Sequence, residues 1–214
     1  MSADIIHYFD YKSPYAYLAQ DELFRLSAEE GITVEWRPYT LDIPNYLGSA
    51  EIDADGRVIA ESRNAHQWRR VKYSYMDCRR EANRRGLRLH GPRKIFDSSI
   101  AHIGFLFAKA HGDFRSYHDA VFVRFWRREL DIEDPQAIEA TLRACDIDAD
   151  AFPAFADNKG RQLHDANQRD AEERGVFGVP SYLVSGELFW GAERLEGVRE
   201  AVRVQRTPPK RRRV

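Results

Sequence analysis

Ile5-Ile6-His7-Tyr8-Phe9, then Asp10-Tyr11-Lys12, then Ser13-Pro14-Tyr15-Ala16 form the stretch that decides the fold of this 214-residue chain. The apolar run at 5–9 predicts a strand, and residues 17–26 predict a helix. The Ser-Pro pair between them places serine at the helix N-cap and proline at the first helical position, where its missing N–H costs nothing. Backbone N–H groups and the positive helix dipole meet there, which predicts a site for a thiolate, phosphate or carboxylate beside the Ser13 hydroxyl. The alternative, that Ser13 only caps a helix, stays open.

A second apolar run, from Val34 to Tyr39, follows this helix, which the sequence ends at Gly31. Strand, helix and strand predict a βαβ unit whose two strands pair in parallel through a right-handed crossover. Residues 41–55 are rich in turn formers and predict a long loop that leaves the sheet.

The helical period dominates from Asn64 to about Arg174. Trp68, Val71 and Tyr75 recur at three- and four-residue steps, and further helices are predicted at 98–111, 115–127, 135–145 and 161–174. Strand character returns at 181–184 and 188–190, with a turn between them, and a helix at about 193–204 follows.

This order predicts an α/β thioredoxin-like fold whose βαβ and ββα halves flank a large all-helical insertion. Residues 1–44 and 175–206 form the thioredoxin-like domain, 45–174 the helical insertion, and 207–214 a basic tail predicted to be disordered.

Composition excludes several classes of function. The net charge of −1 and the pI near 6.7 argue against a nucleic-acid binder. No apolar run reaches the roughly 20 residues of a membrane span, and Met-Ser-Ala-Asp does not begin a signal peptide, so a cytoplasmic protein without membrane contact is predicted. The two cysteines, Cys78 and Cys145, form no Cys-x-x-Cys, and the seven histidines include no His-Glu-x-x-His. No metal site is therefore predicted.

Four motifs carry a resemblance to a known family. In chain order they are Tyr8-Phe9-Asp10-Tyr11-Lys12-Ser13-Pro14-Tyr15-Ala16-Tyr17-Leu18-Ala19, Lys72-Tyr73-Ser74-Tyr75-Met76, Val176-Phe177-Gly178-Val179-Pro180 and Phe189-Trp190-Gly191-Ala192-Glu193-Arg194-Leu195. Together they resemble the 2-hydroxychromene-2-carboxylate isomerases and the related kappa-class glutathione transferases, within the wider DsbA-like group. The resemblance spans nearly the whole chain. It implies glutathione as cofactor and a cis peptide bond before Pro180, and it is compatible with a homodimer.

The same resemblance assigns roles to single residues. Ser13 is implied as the catalytic residue that hydrogen-bonds the glutathione sulfur, and Val179 as the residue whose main chain binds the cysteinyl part. Lys72 and the pair Ala192 and Glu193 are implied as further glutathione contacts. Each has an alternative: Val179-Pro180 as a turn, Glu193 as an acid at a helix N-terminus, and Lys72 as a lysine reaching past aromatic side chains to solvent.

Two of these positions depart from the family pattern. Glu193 stands where relatives have aspartate, and Ala192 replaces a polar residue, so one polar contact is lost and the carboxylate lies one methylene further out.

An aromatic substrate pocket is predicted from Tyr11, Pro14, Tyr15, Trp68, Tyr75 and Trp190, with Arg69 or Arg70 to hold a carboxylate. The resemblance implies a glutathione-dependent isomerase or transferase acting on a small aromatic, enone-like acid. The alternative is a DsbA-family protein that serves as a non-catalytic binding protein. Disulfide exchange is disfavoured, because Ser13 and Ala16 stand where two cysteines would be needed.

Overall fold

A computed structural model describes residues 3–207 of the chain. The thioredoxin-like part contains β1 (Ile5–Phe9), α1 (Pro14–Glu30), β2 (Val34–Pro38), β5 (Ser181–Val184), β6 (Glu187–Trp190) and α9 (Leu195–Arg206), the last preceded by a 3₁₀ turn, Ala192–Arg194. The insertion contains α2 (Ile43–Leu47), β3 (Ala50–Ile52), β4 (Val58–Glu61), α3 (Ala65–Arg84), α4 (Ser99–His111), α5 (Phe114–Trp126), α6 (Pro135–Ala144), α7 (Phe152–Phe155) and α8 (Arg161–Glu173). A π-helical turn, Ala156–Gly160, joins α7 to α8.

The central sheet has the strand order β2-β1-β5-β6. β1 pairs in parallel with β2, with Ile5 opposite Val34, and antiparallel with β5, with His7 opposite Tyr182. β5 and β6 form the antiparallel hairpin that the sequence predicts. The βαβ and ββα halves therefore meet at β1 and β5, and the residues that follow β1 lie beside those that precede β5.

Helix α1 begins and ends where the sequence predicts. The Ser13 Oγ atom accepts a hydrogen bond from the Ala16 N–H at 3.2 Å, which makes Ser13 the N-cap. Gly31 ends the helix with φ of +61°, in the left-handed region that glycine adopts without a steric penalty.

The insertion is helical as predicted, apart from residues 50–61. These form the β3–β4 hairpin, where a loop and then no regular element were expected. All four residues of β4 are exposed, so no alternation of buried and exposed side chains marks the strand in the sequence. The five predicted helices are confirmed as α3, α4, α5, α6 and α8. The short α7 and the π turn are additional.

The core lies between the sheet and the insertion helices and is rich in aromatic rings. Phe9, at the end of β1, is fully buried and contacts the rings of Phe105 and His118 edge-on. Burial lowers the pKa of His118 well below its usual value, so this ring is neutral in the core.

Among residues 3–207 no helix is both long and apolar enough to span a bilayer. The predicted basic tail, apart from Thr207, lies outside the described residues.

Candidate active site

A cavity of about 510 Å³ lies between the thioredoxin-like part and the insertion. The N-terminus of α1, the loop before β5 and the segment after β6 form one wall. The other wall consists of α2, the start of the hairpin, α3 and the loop before α4. The residues lining the first wall are Lys12, Ser13, Pro14, Tyr15, Val179, Pro180, Trp190, Gly191, Ala192 and Glu193. Those lining the second are Leu41, Ile43, Tyr46, Leu47, Ala50, Arg63, Arg70, Val71, Ser74, Tyr75, Asp77, Pro92, Lys94 and Ile95.

Ser13 lies at the base of this cavity and is only 4% exposed. Its hydroxyl accepts from the Ala16 N–H and donates to the Val179 carbonyl oxygen at 3.3 Å. The second bond is long for an O–H donor and therefore weak. The serine is a helix cap whose single proton can be redirected to a stronger acceptor in the cavity.

The Val179-Pro180 peptide bond is cis, as the resemblance implies. It places Val179 against Ser13, although 166 residues separate them in sequence. On the other side, a Cβ built on Gly178 would lie 2.6 Å from Trp190 Nε1. No side chain fits there, so Gly178 lets the loop before β5 pack directly against Trp190.

The carboxylate of Asp10 anchors the loop that carries Ser13. It accepts from the main-chain N–H groups of Lys12 and Leu41 at 3.1 and 2.8 Å, and from the Ser98 hydroxyl at 2.7 Å. The main-chain carbonyl of Asp10 accepts from the Ser13 N–H at 3.0 Å. Asp10 thereby ties the end of β1 to the start of α1, to the segment after β2 and to the start of α4.

Asp10 stays ionised in this fully buried position. Burial opposes its charge, but the Lys12 ammonium at 3.6 Å, His102 and the Leu41 N–H outweigh that effect and hold its pKa well below the usual range.

A chain of polar contacts leads from Asp10 to the surface. His102 Nε2 lies 3.4 Å from Asp10 Oδ1, and His102 Nδ1 lies 2.9 Å from the Thr40 hydroxyl. The same hydroxyl is 2.9 Å from His164 Nε2, and His164 Nδ1 is 3.0 Å from Asp165 Oδ1. The Asp165 side chain is about half exposed.

The wall from the insertion includes several long polar side chains. Arg63 donates from Nε to the Leu47 carbonyl at 3.1 Å and lies over the Trp68 ring. Tyr75 lies at the cavity beside Ser74, and burial raises its pKa to about 12. Burial also raises the pKa of Tyr15, another lining residue, to about 12, so neither Tyr15 nor Tyr75 ionises near neutral pH.

Comparison with known proteins shows the family to which this architecture belongs. A model of the DsbA-like thioredoxin domain matches residues 4–203. The chain belongs to the DsbA-like thioredoxin family. Within it, the chain is 30% identical to a 2-hydroxychromene-2-carboxylate isomerase of Sphingobium xenophagum over 198 residues, which cover 92% of this chain and 96% of the relative. That similarity shows membership of the same isomerase family and identifies the chain as an isomerase, the enzyme class that the sequence predicts.

Solved structures of the DsbA-like family share this architecture. A structure of 2-hydroxychromene-2-carboxylate isomerase superposes with a TM-score of 0.70 at 26% identity, covering 94% of this chain and 96% of that chain. A probable DsbA oxidoreductase from Streptomyces coelicolor superposes with a TM-score of 0.75 at 18% identity, covering 98% and 93%. The second likeness concerns the fold alone.

The structure brings most of the predicted site residues of this DsbA-like chain to one cavity. Ser13, Val179, Ala192 and Glu193 line it together with Pro14, Tyr15, Tyr75 and Trp190. Glu193 projects from the 3₁₀ turn after β6, and its side chain is 69% exposed. This position suits a carboxylate at the cavity rim rather than at its base.

Three predicted pocket or glutathione residues do not line the cavity, and of the pair Arg69 and Arg70 only Arg70 does. Tyr11 is fully buried on the other side of the loop, where its hydroxyl lies 3.1 Å from His118 Nδ1, and this corrects its placement in the substrate pocket. Trp68 also lies outside the pocket, because its indole N–H donates to Glu61 of the hairpin at 2.6 Å. Lys72 is exposed, with Nζ 5.7 Å from the centre of the Trp68 ring, the position expected of a lysine that extends to solvent.

Sequence reasoning missed several residues that line the cavity. Lys12 and Arg63 are the clearest cases, and Tyr46, Ser74 and Lys94 are others. Lys12 stands directly before Ser13 and could have been suspected on that ground alone. Arg63 and Tyr46 come from segments without a clear period, so no pattern pointed to them.

Charge is unequal in the cavity. Four basic side chains line it, namely Lys12, Arg63, Arg70 and Lys94. Two acidic side chains line it, namely Asp77 and Glu193. Lys12 and Lys94 already pair with the carboxylates of Asp10 and Glu133, so the remaining cations of the lining are Arg63 and Arg70.

Proposed function

We propose that this isomerase is glutathione-dependent and acts on a small aromatic acid with a conjugated double bond, of the 2-hydroxychromene-2-carboxylate type. The observation that carries the proposal is the Ser13 hydroxyl at the N-terminus of α1, held against the Val179 main chain at the base of a basic, partly aromatic cavity. When bound, glutathione supplies a thiolate that adds reversibly to a conjugated double bond.

The residues at the cavity base fit a cysteinyl thiol. Ser13 offers one O–H donor that a thiolate would accept, and its present partner is a weak one. When that hydroxyl turns toward a sulfur, the Val179 carbonyl becomes free to accept an N–H from a bound peptide in a strand-like contact. One intramolecular hydrogen bond is thus replaced by two to the ligand.

The electrostatics of α1 support an anionic sulfur beside Ser13. The positive end of this 17-residue helix points to the cavity base, and a helix N-terminus lowers the pKa of a nearby thiol below its free value of about 8.5. Each unit of that shift corresponds to about 1.4 kcal/mol in favour of the thiolate. Ser13 donates to the sulfur and does not itself act as a nucleophile.

The remaining cavity residues suit a flat acid. Tyr15 and Tyr75 contribute aromatic surface from the two walls, and Trp190 adds an indole that packs against the ring of Phe177 at a centroid distance of 4.8 Å. Arg63 and Arg70 in the lining favour a carboxylate on the substrate. The names of the relatives at 30% identity support this substrate class.

The test is calorimetric titration of glutathione into wild type and Ser13→Ala, with turnover of 2-hydroxychromene-2-carboxylate measured on both. We expect wild type to bind glutathione and to increase its thiolate absorbance. Ser13→Ala should lower kcat by about 10²–10³, the usual effect of removing one donor to a reacting anion.

Ser116→Ala is the matched control, because Ser116 lies in the first turn of α5, is exposed and donates to Asp113. It should leave turnover unchanged. If wild type neither binds millimolar glutathione nor turns over the acid, the cofactor assignment is wrong and the alternative, a binding protein, takes its place.

A further inference from the structure

Arg63, in the segment between the hairpin and α3, is a partly buried cation of the cavity lining. Among residues 3–207 no carboxylate lies within 4 Å of its guanidinium, and Glu61, two residues earlier, instead accepts from the Trp68 indole. Burial lowers the pKa of Arg63, and no neighbouring acid offsets the cost of burying its charge. Lys12 and Lys94 of the same lining have carboxylate partners, so Arg63 is the partly buried charge that needs one.

Contacts on three sides fix the orientation of this guanidinium. Arg63 Nε donates to the carbonyls of Leu47 and Gly48, at 3.1 and 3.4 Å, where α2 ends. Arg63 Cζ lies 5.1 Å from the centre of the Trp68 ring, and the indole N–H holds that ring to Glu61 at 2.6 Å. A Cβ built on Gly48 would lie 3.1 Å from Arg63 Cγ, so the absence of a side chain there lets the arginine stem pack directly on the main chain. Arg63 is thus held in place before any ligand binds.

The two terminal nitrogens of Arg63 have no hydrogen-bond partner in the part of the chain that the structure describes. A guanidinium carries five N–H bonds, and Nε uses one, which leaves four on Nη1 and Nη2. Arg63 and Leu47 line the cavity whereas Trp68 does not, so the guanidinium lies between the Trp68 ring and the cavity. The unused edge is the planar fork that binds a carboxylate through two parallel hydrogen bonds.

We infer that Arg63 binds the carboxylate of the aromatic substrate through its two terminal nitrogens, and that it makes the site select acids over their neutral analogues. This inference rests on the proposed function for the identity of the substrate. It replaces the sequence prediction that Arg69 or Arg70 holds the carboxylate, because Arg69 lies outside the lining and Arg70 is exposed. An exposed cation is solvated and contributes little to charge selection.

Glutathione also carries carboxylates, so the cofactor is a second source of the same chemistry. Of its predicted contacts, Ser13, Val179, Ala192 and Glu193 line the cavity, and all four belong to the wall from the thioredoxin-like part. Arg63 belongs to the opposite wall. This separation favours the aromatic acid as its ligand.

The experiment compares the binding of 2-hydroxycinnamate and 2-hydroxycinnamamide, two flat probes that differ in charge, without glutathione present. Calorimetry should show that wild type prefers the acid by about tenfold to a hundredfold, the range expected for hydrogen bonds to a charged group. Arg63→Gln should lower this preference by about tenfold and leave the affinity for the amide unchanged. Arg63→Lys keeps the charge but not the fork, so it should retain part of the preference. Arg70→Gln should lower it by no more than about fivefold.

Arg128→Gln is the matched control. Arg128 also donates from Nε to a main-chain carbonyl, that of Gly91 at 2.8 Å, and has no carboxylate within 4 Å among residues 3–207, but it does not line the cavity. It should keep the wild-type preference. The inference is overturned if wild type binds both probes equally or binds neither, or if the preference survives in folded Arg63→Gln. It is also overturned if the affinities for acid and amide fall together in that variant, as a purely structural role would require, or if Arg128→Gln loses the preference as well.

A separate titration of glutathione into Arg63→Gln distinguishes the two sources of carboxylate. We expect the wild-type affinity for glutathione. A weaker affinity, with the preference for 2-hydroxycinnamate intact, would assign Arg63 to the cofactor and overturn the inference. Because the probe titrations contain no thiol, failure of wild type to bind glutathione would contradict the proposed cofactor and leave the test of Arg63 unaffected.

Discussion

The two walls of the cavity are built in different ways. The wall from the thioredoxin-like part contributes buried groups that are held by main-chain hydrogen bonds, such as Ser13 and Val179. The wall from the insertion contributes long side chains on α3 and the segment before it, among them Arg63 and the exposed Arg70. The first wall is suited to holding reacting atoms in one geometry. The second can change its side chains at little cost to the fold, so we expect it to set substrate preference.

The largest effect is expected where the first wall is anchored, at Asp10. Asp10→Asn keeps the shape but replaces an ionised acceptor by a group that presents N–H donors to the N–H of Leu41 or Lys12. We expect a loss of about 3–5 kcal/mol in the free energy of unfolding, as when one member of a buried ion pair is removed. Urea denaturation of wild type and Asp10→Asn at neutral pH measures this difference in unfolding free energy.

The pH dependence of stability gives a second readout for Asp10. Since the folded pKa of Asp10 lies well below its unfolded value near ~4, its contribution is present above about pH 4 and is lost as the pH falls below that. Asp10→Asn should therefore flatten the decline of wild-type stability in acid. If the unfolding free energy of Asp10→Asn falls in acid as steeply as that of wild type, the role assigned to the Asp10 charge is wrong.

A smaller effect is expected at the contact between the loop before β5 and Trp190. Gly178→Ala places a methyl group in a gap where the Cβ would lie 2.6 Å from Trp190 Nε1. We expect a loss of about 1–3 kcal/mol in unfolding free energy, together with a change in tryptophan fluorescence as the indole moves. Thermal denaturation measures the loss of stability, and tryptophan emission spectra report the movement of the indole.

Gly197→Ala in α9 is the control for that variant. Its Cβ would lie 3.5 Å from Phe189, an ordinary contact, and alanine is the better helix former, so stability should rise slightly. Equal behaviour of the two alanine variants would count against the close packing at Gly178.

The smallest effect is expected on the second wall. Arg70→Gln removes an exposed positive charge from the cavity rim, and exposed charges contribute about 0.2–1 kcal/mol. The KM for an anionic substrate should rise by no more than about fivefold, with kcat and stability unchanged. Arg69→Gln, one residue earlier and outside the lining, should have no such effect. A large loss of kcat in Arg70→Gln would remove the distinction between the two walls.

Much of the first wall could be predicted because local signals mark it. Ser-Pro after an apolar run specifies the start of α1, and Gly31 specifies its end. The contact between Ser13 and Val179 spans 166 residues, and no local signal can provide it. It came from resemblance to a family.

The errors have physical reasons. Tyr11 lies in the turn after β1, where its ring packs against Phe9 and its hydroxyl meets His118, so core contacts rather than its closeness to Ser13 decide where it lies. The β3–β4 hairpin was missed because β4 is exposed along its whole length and carries no period. Lys12 was missed because a lysine is normally a surface residue, and only the position of Asp10 behind it explains its burial.

The chain of polar contacts from Asp10 to Asp165 has a definite direction. Asp10 has no proton to give, so its carboxylate at 3.4 Å favours the His102 tautomer with the proton on Nε2, and burial lowers the pKa of His102, which leaves Nδ1 as an acceptor. The Thr40 hydroxyl must donate to that nitrogen, and its oxygen then accepts the Nε2 proton of His164. His164 Nδ1 then faces the half-exposed Asp165 at the outer end of the chain. The order of donors and acceptors in the interior is thus set by one buried charge.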